Sequence, residues 1–246
     1  MTQKISGRTA LVTGASGGIG RATAIRLAEA GAHVLVHYAQ GEDRAAETVR
    51  QIRDRGGEAT PVKADLTDLA TIPPLIDACN GSIDILVNNA GVARDGRLAD
   101  TDLDAFDTVF ATNVRGTFFL TQAVLPHIPD GGAIINISSM VSIAAYPAII
   151  AYAMSKAAIN SFTRSLAADL GERKIRVNAV APGATDTALL SPIRDIPEAM
   201  AGLNAITAFG RLGTPDEIAN VVAFLASPEG SWITGQVIQA SGGMHL

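Results

Sequence analysis

The sequence predicts an α/β fold, a single doubly wound parallel β-sheet with helices on both faces, spanning residues 1–246. Three observations carry this. Short apolar runs alternate with longer amphipathic segments along the whole chain, as repeated strand–helix crossovers require. Two runs, Ile83-Asp-Ile-Leu-Val-Asn88 and Ala133-Ile-Ile-Asn-Ile137, are almost continuously apolar, as strands covered on both faces are. No linker, charge block or low-complexity segment divides the chain, so one domain is the economical reading.

The elements follow in order. Thr9 to Thr13 reads as a buried strand and Arg21 to Ala30 as a helix closed by Gly31. His33 to Tyr38 is the second strand, Asp43 to Arg55 a helix stopped by Gly56-Gly57, and Pro61 to Ala64 a short third strand. Leu69 to Cys79 is helical, Ile83 to Asn88 the fourth strand, and a long helix runs from about Leu103 to Leu125. Ala133 to Ile137 is the fifth strand, Tyr152 to Glu172 a helix, and Arg176 to Ala181 the sixth strand. Pro215 to Ala226 is a helix with proline in its first turn, and Val237 to Ala240 closes the sheet. The crossovers are expected to be right-handed. Ala188 to Gly210 has no clear period and is too long for a plain connection, so it reads as a lobe covering the substrate.

Composition narrows the function. The chain is 48% hydrophobic and 17% charged, which places it among folded proteins, and 246 residues suffice for one substantial core or two small ones. A net charge of −5 argues against nucleic acid and against an anionic membrane surface, both of which need a basic face. Cys79 is the one cysteine, so a reducing cytoplasm is the natural compartment. The segment from Met1 to Arg8 lacks a signal-peptide apolar run, and the most apolar stretch, Val141 to Met154, is broken by Ser142 and Pro147 and is too short to span a bilayer. The histidines His33, His37, His127 and His245 lie at no metal-ligand spacing; they read as surface or packing residues, and no metal is expected.

Directly after the first strand stands Thr13-Gly14-Ala-Ser16-Gly17-Gly18-Ile19-Gly20, and a helix begins there. A dinucleotide pyrophosphate needs backbone N–H donors free of side chains at the positive end of a helix dipole. Gly14 suits the tight turn, Gly18 the approach of phosphate, and Gly20 the packing of helix on strand, the arrangement of a Rossmann fold. The same pattern arises in chance turns; its place between a first strand and a first helix gives it weight. Asp65, followed by Leu66 after the third strand, can accept from an adenine amino group. Asn88-Asn89-Ala90-Gly91 ends the fourth strand, where small residues let a cofactor lie against the backbone; the alternative is an ordinary turn.

Tyr152 and Lys156, four apart at the start of a helix, project from one face and suit proton transfer. A free tyrosine titrates near ~10, and lowering it by about three units needs roughly 4 kcal/mol from a nearby ammonium. Ser138-Ser139 follow the fifth strand, where a hydroxyl can hold a substrate oxygen. Asn113 lies in the long helix, a position where asparagine is mildly unfavourable; the plain alternative is a surface residue.

Together these residues resemble the short-chain dehydrogenase/reductase family in its single-domain form, over essentially the whole chain. The resemblance rests on the glycine loop, Asp65, Asn88 to Gly91, Asn113, Ser139, Tyr152-Ala-Met-Ser-Lys156 and Pro182-Gly183. It implies a catalytic tetrad. Tyr152 is the general acid/base, and Lys156 lowers its pKa and holds the ribose. Ser139 orients the substrate oxygen; it stands thirteen residues before Tyr152, the separation usual in such members. Asn113 holds a water linking Lys156 to solvent. Pro182, Gly183, Thr185 and Thr187 match the segment that binds the nicotinamide carboxamide. The C-terminal Gly235 to Gly243 stretch looks most like the 3-oxoacyl-thioester (acyl-carrier-protein) reductase branch. A homotetramer or homodimer is implied, two long helices forming a dimer interface. One departure is Ser142, where members often have glycine.

The expected activity is therefore the interconversion of a ketone and a secondary alcohol by an NAD(P)(H)-dependent enzyme. A cofactor-binding regulator is the alternative from another class, and it has no use for Tyr152 with Lys156. An epimerase or dehydratase needs an added substrate domain, for which the chain has no room. At the end of the second strand, Tyr38-Ala39 stand where NAD-preferring relatives place an acid, and the nearest acids are Glu42 and Asp43. With Arg44 or His37 near a 2′-phosphate, NADP(H) is favoured over NAD(H), although Gly17 stands where many NADP-preferring members carry Arg or Lys. Leu125 to Gly132 carries no Lys or Arg to steer an acidic carrier protein, while Arg173 and Lys174 leave some positive charge nearby. The pocket is expected between Ile143 to Ile150 and the lobe, with Ala144, Ala145, Tyr146, Ile149, Leu189, Leu190, Ile193, Ile196 and Met200 making it apolar and Arg194 and Asp195 supplying its charges. A free, largely apolar ketone or 3-oxo ester follows, with a carrier-bound acyl chain as the runner-up.

Overall fold

Each strand of the sheet sends alternate residues into two separate cores, which is why the apolar runs are continuous. Ala10 and Val12 enter one core and Leu11 the other; Ile85 and Val87 are divided from Leu86, and Ile135 from Ile134, in the same way. The computed structural model describes residues 5–79 and 81–246. Met1 to Lys4, part of the segment read as lacking a leader, lie outside the described residues.

The strands are β1 (Thr9–Val12), β2 (His33–Tyr38), β3 (Glu58–Lys63), β4 (Ile85–Asn88), β5 (Ala133–Ile137), β6 (Arg176–Pro182) and β7 (Val237–Ala240). They form one seven-stranded sheet in the order β3-β2-β1-β4-β5-β6-β7, parallel throughout. The order reverses between β1 and β4, and a crevice opens there at the carboxyl ends of the strands. Helices α1 (Gly18–Glu29), α2 (Glu42–Asp54) and α9 (Pro215–Ala226) cover one face through Leu27, Ile52 and Val222. On the other face, α3 (Ile72–Ala78), α5 (Thr117–Val124) and α6 (Ile150–Asp169) contribute Leu75, Leu120 and Ala167. Truncating a fully buried leucine such as Leu120 to alanine costs about 2–5 kcal/mol.

Local signals set the ends. Gly31 (φ 100°) and Gly56 (φ 80°) adopt the left-handed conformation just past α1 and α2. At α9, Thr214 and Glu217 exchange side-chain and backbone bonds in a capping box, with Pro215 in the first turn.

Four segments differ from the sequence reading. Strand β3 starts at Glu58 and runs through Pro61, which is tolerated because β3 is the sheet edge. The segment read as a helix from Leu69 begins as a 3₁₀ turn, Leu69–Thr71. The long helix is interrupted: α4 (Leu103–Phe110) gives way to a π-helical segment, Ala111–Gly116, before α5. The aperiodic stretch after Thr187 holds a 3₁₀ turn, Ala188–Leu190, and helices α7 (Ser191–Arg194) and α8 (Pro197–Ala205). Among the described residues no helix is long and apolar enough to cross a membrane, and no group of three or more His, Cys, Asp or Glu could hold a metal.

Candidate active site

The carboxyl ends of β1, β4, β5 and β6 open into a cavity of about 1110 Å³. At one end it is walled by the glycine loop. Gly14 and Gly18 adopt positive φ, 64° and 52°, as this turn requires. Gly20 packs so closely that an added Cβ would stand 2.2 Å from the Gly14 carbonyl and 2.5 Å from Asn89 Nδ2. Asn89 Nδ2 in turn donates to the Thr13 carbonyl at 2.8 Å, and Thr13 Oγ1 accepts from both Asn89 N and Ala90 N at 2.9 Å. These bonds tie the loop after β1 to the end of β4. Helix α1 follows Gly17, which offers no side-chain cap and leaves the first helical N–H groups for an anion, and an added Cβ at Gly17 would meet nothing within 4 Å. The loop therefore fits a dinucleotide pyrophosphate.

The middle of the cavity carries the polar chemistry. Ser139 caps the short turn after β5 and lines the cavity beside Tyr152, close enough for its hydroxyl to act on the titration of the phenol. Lys156 lies one turn after Tyr152 on α6, its Nζ donating to the Ile137 carbonyl at 2.8 Å and standing 5.7 Å from the Tyr152 ring centre. Both are buried. Burial pushes the Tyr152 phenol up to about 12, against a lowering by the Ser139 hydroxyl, and pushes the Lys156 ammonium down to about 8. In the protein alone desolvation dominates both values, and the Lys156 ammonium is engaged with the Ile137 carbonyl.

Asn113 does not line the cavity. It sits buried in the π-helical segment, with Oδ1 accepting from Val92 N at 2.9 Å and Nδ2 donating to Val92 O at 2.9 Å and to Ser155 Oγ at 3.0 Å. Ser155 Oγ donates to the Tyr152 carbonyl at 2.7 Å. Asn113 so joins the segment after Gly91 to the helix of Tyr152. The π-helical turn makes room for an asparagine that a regular helix would disfavour.

The fold and this constellation can now be set beside known proteins. A family model described as enoyl-(acyl carrier protein) reductase matches residues 14–245. Versicolorin reductase of Emericella nidulans is 39% identical over 257 residues, covering 98% of this chain and 96% of its own. The structure of a short-chain dehydrogenase/reductase from Serratia marcescens matches with a TM-score of 0.94 at 38% identity, covering 99% of this chain and all of that one. The chain belongs to the short-chain dehydrogenase/reductase family. It is an NAD(P)-dependent oxidoreductase acting on carbonyl or CH–OH groups. A further solved member, the angucycline C-6 ketoreductase LanV with bound NADP, is 43% identical with a TM-score of 0.93, covering 100% of this chain and 98% of that one.

Within this reductase, Gly14, Ser16, Gly17, Gly18, Ile19, Asn89, Ala90, Gly91, Pro182, Gly183, Thr185 and Thr187 line the cavity as expected, with Ser139, Tyr152 and Lys156. Tyr38, Ala39, Asp65 and Leu66 lie outside its wall. Tyr38 is packed into one core and Leu66 into the other, while Asp65 Oδ1 accepts from Thr67 N at 2.9 Å and Thr67 Oγ1 at 2.7 Å. That bonding holds the Asp65 carboxyl below its usual range. Arg21 and Arg44 take the wall at this end. Arg21, missed in the sequence, donates to Ser16 O at 2.8 Å and Thr48 Oγ1 at 3.1 Å, clamping the loop to α2. His37 is unsuited to a phosphate: its Nδ1 accepts from Gly14 N at 3.2 Å, so its Nε2 donates to Ala64 O at 3.1 Å. Burial holds this neutral ring at a pKa of about 4.

The far end of the cavity is apolar. Tyr146, Ile149, Leu189, Leu190 and Ile193 line it as expected; Ala144, Ala145, Ile196 and Met200 do not. Arg194 bonds Asp186 and Asp195 also stands outside, so neither supplies a charge here; Asp95, on the loop after β4, does. Met244 closes the wall from the C-terminus, a contribution no local pattern announced. Its neighbours pair with the end of the lobe, His245 N donating to Ile206 O at 2.9 Å and Ala208 N to Gly243 O at 3.2 Å.

Proposed function

We propose that this protein is an NADP(H)-preferring carbonyl reductase for a free, largely apolar ketone or 3-oxo ester, with Ser139, Tyr152 and Lys156 as catalytic residues and Asn113 as their positioning residue. One observation carries the reading: the Ser139–Tyr152 pair and Lys156 sit midway between a glycine-walled end with two arginines and an apolar end. When bound, the nicotinamide would supply or accept the hydride. The chain does the rest. Ser139 donates to the substrate oxygen and holds it within reach of Tyr152. With its pKa raised by burial, Tyr152 is protonated at neutral pH and is the acid that completes the alcohol. Lys156, mostly charged at pH 7, stabilises the phenolate left behind and binds the ribose. Gly91 lets the cofactor lie close: an added Cβ would be 3.4 Å from Lys156 Nζ and 3.2 Å from Asn113 Oδ1.

NADP(H) preference is supported by Arg44 and Arg21 at the adenosine end, where no carboxylate lines the wall, and by the NADP bound to LanV. The apolar substrate is supported by the far wall and by relatives named for versicolorin and hydroxynaphthalene reduction. The carrier-bound alternative has one observation in its favour, the exposed Arg94 and Arg97 on either side of Asp95 at that end. Arg173 does not serve it, being bonded to Asp130 Oδ1 and the Ile128 carbonyl before β5, at the amino ends of the strands and away from the cavity. We further read the protein as one domain with the Ala188 to Gly210 lobe over the substrate, working in the cytoplasm as a homotetramer or homodimer. Exposed Phe118, Phe119 and Met154 on α5 and α6 give such an assembly an apolar face.

Tyr152→Phe tests the reading. The ring still packs but has no proton, so turnover of a free 3-oxo ester with NADPH falls by ~10²–10⁴-fold while NADPH binding is kept. A variant retaining more than about a tenth of the rate would refute the assignment.

A further inference from the structure

Helix α6 meets the end of β5 through one stripe of residues spaced four apart. Tyr152 stands beside Ser139 in the cavity wall, Lys156 Nζ donates to Ile137 O, and Asn160, one turn further on, reaches Ser138 and Ser142. Asn160 is 6% exposed, and its amide has both ends matched. Oδ1 accepts from Ser138 Oγ at 2.6 Å, and Nδ2 donates to Ser142 Oγ at 2.8 Å. Each serine has a single hydroxyl hydrogen. Ser138 places its hydrogen on Asn160, and Ser142 places its own on the Ser139 carbonyl at 2.6 Å. A lone pair of Ser142 is left to accept from Asn160 Nδ2, and Ser142 Oγ also stands 3.2 Å from Ser138 Oγ. The Ser139 carbonyl also accepts from Ser142 N at 3.0 Å, so residue 142 holds the carbonyl of Ser139 twice.

We propose that Ser142 and Asn160 are positioning residues for the reductive step: acting through the Ser139 carbonyl, they hold the Ser139 hydroxyl where it meets both Tyr152 and the substrate oxygen. Ser139 needs such support. It is extended at the cap of a three-residue turn, and its hydroxyl lies 3.4 Å from Val141 N, too long a bond to orient it. A glycine at position 142 would keep the backbone N–H to the carbonyl but has no hydroxyl for Ser139 or Asn160. The inference rests on the role given to Ser139 above, and the experiment separates the two.

Ser142→Ala, Asn160→Ala, Ser139→Ala and the Ser139/Ser142 double alanine variant are compared with wild type for kcat and KM toward one free 3-oxo ester, NADPH Kd and Tm. We expect kcat to fall roughly 10- to 100-fold in Ser142→Ala and Asn160→Ala, the loss that follows displacement of a reacting group by about 1 Å. NADPH Kd stays within about twofold, and Ser142→Ala adds no further loss once Ser139 is alanine, because its effect passes through that hydroxyl. Ser142→Ala removes one oxygen from a half-buried residue and carries the test by itself if Asn160→Ala fails to fold. Slow Ser139→Ala with Ser142→Ala within about twofold of wild type overturns the positioning role alone. So does a loss in Ser142→Ala that persists in full beside Ser139→Ala. Full activity of Ser139→Ala overturns both this inference and the role on which it rests.

Discussion

Replacing Lys156 by methionine separates what this residue does for turnover from what it does for stability. Lys156 is 5% exposed, and burial lowers its pKa from 10.5 to about 8. At about 1.36 kcal/mol per unit, the charged side chain destabilises the fold by roughly 3 kcal/mol at pH 7. Methionine is unbranched and of similar length, but it gives up the bond to the Ile137 carbonyl, worth about 1 kcal/mol. The variant is therefore expected to be about 2 kcal/mol more stable than wild type at pH 7 while losing turnover and nucleotide affinity. The sign with pH follows from the lowered value. Folded Lys156 releases its proton near pH 8, whereas the unfolded chain keeps it to about 10.5, so wild-type stability rises with pH across that window. Between pH 7 and 9.5 wild type should recover about 2 kcal/mol relative to the variant. Tyr152 acts in the opposite sense: raised to about 12, it holds its proton more tightly when folded, and that contribution is lost above pH 10. The comparison therefore ends at pH 9.5. The assay is urea unfolding of the cofactor-free protein, followed by far-ultraviolet circular dichroism at one protomer concentration. Trp232 is fully exposed, so its emission is a poor reporter. A variant less stable than wild type at pH 7, or a difference that does not change up to pH 9.5, would refute the reasoning.

Three other outcomes are expected. Gly20→Ala, whose Cβ would overlap the Gly14 carbonyl at 2.2 Å, should force the loop from α1, abolish NADPH binding and lower stability by about 1–3 kcal/mol; unaltered NADPH affinity in a titration counts against the close-packed cradle. Arg44→Ala should reduce kcat/KM for NADPH by roughly 10- to 100-fold and leave NADH almost unaffected, as loss of a charged bond to a 2′-phosphate would; equal losses for both nucleotides would contradict that role. In competition at low salt, a free 3-oxo ester should be reduced at least as well as the same acyl group on its carrier protein. A strong carrier preference, abolished by added salt, would instead assign Arg94 and Arg97 to carrier docking.

Much of the fold was legible because its signals are local. Strands β2, β5 and β7 and helix α9 have the bounds the sequence implied; β5 is continuously apolar because it is covered on both faces, and α9 carries its capping box. Strand β3 was read short because Pro61 looked like its start, and only its place at the sheet edge explains the proline. The meeting of Ser139, Tyr152 and Lys156 in one cavity was legible for a similar reason: Tyr152 and Lys156 are one helical turn apart, and Ser139 follows a strand. The bonds of Asn113 to Val92, 21 residues away, could not be seen from spacing.

The sequence by itself determined the doubly wound sheet, the glycine turn after β1 and the common face of Tyr152 and Lys156, because period, turn chemistry and one-turn spacing are properties of neighbouring residues. Tertiary structure alone decided the walls of the site. It seated Arg21 and Arg44 at the adenosine end in place of His37, and brought Asp95 and Met244 to the substrate end in place of Arg194 and Asp195. It also set the direction in which Tyr152 and Lys156 titrate, for desolvation depends on everything packed around a group and leaves no mark in the few residues beside it.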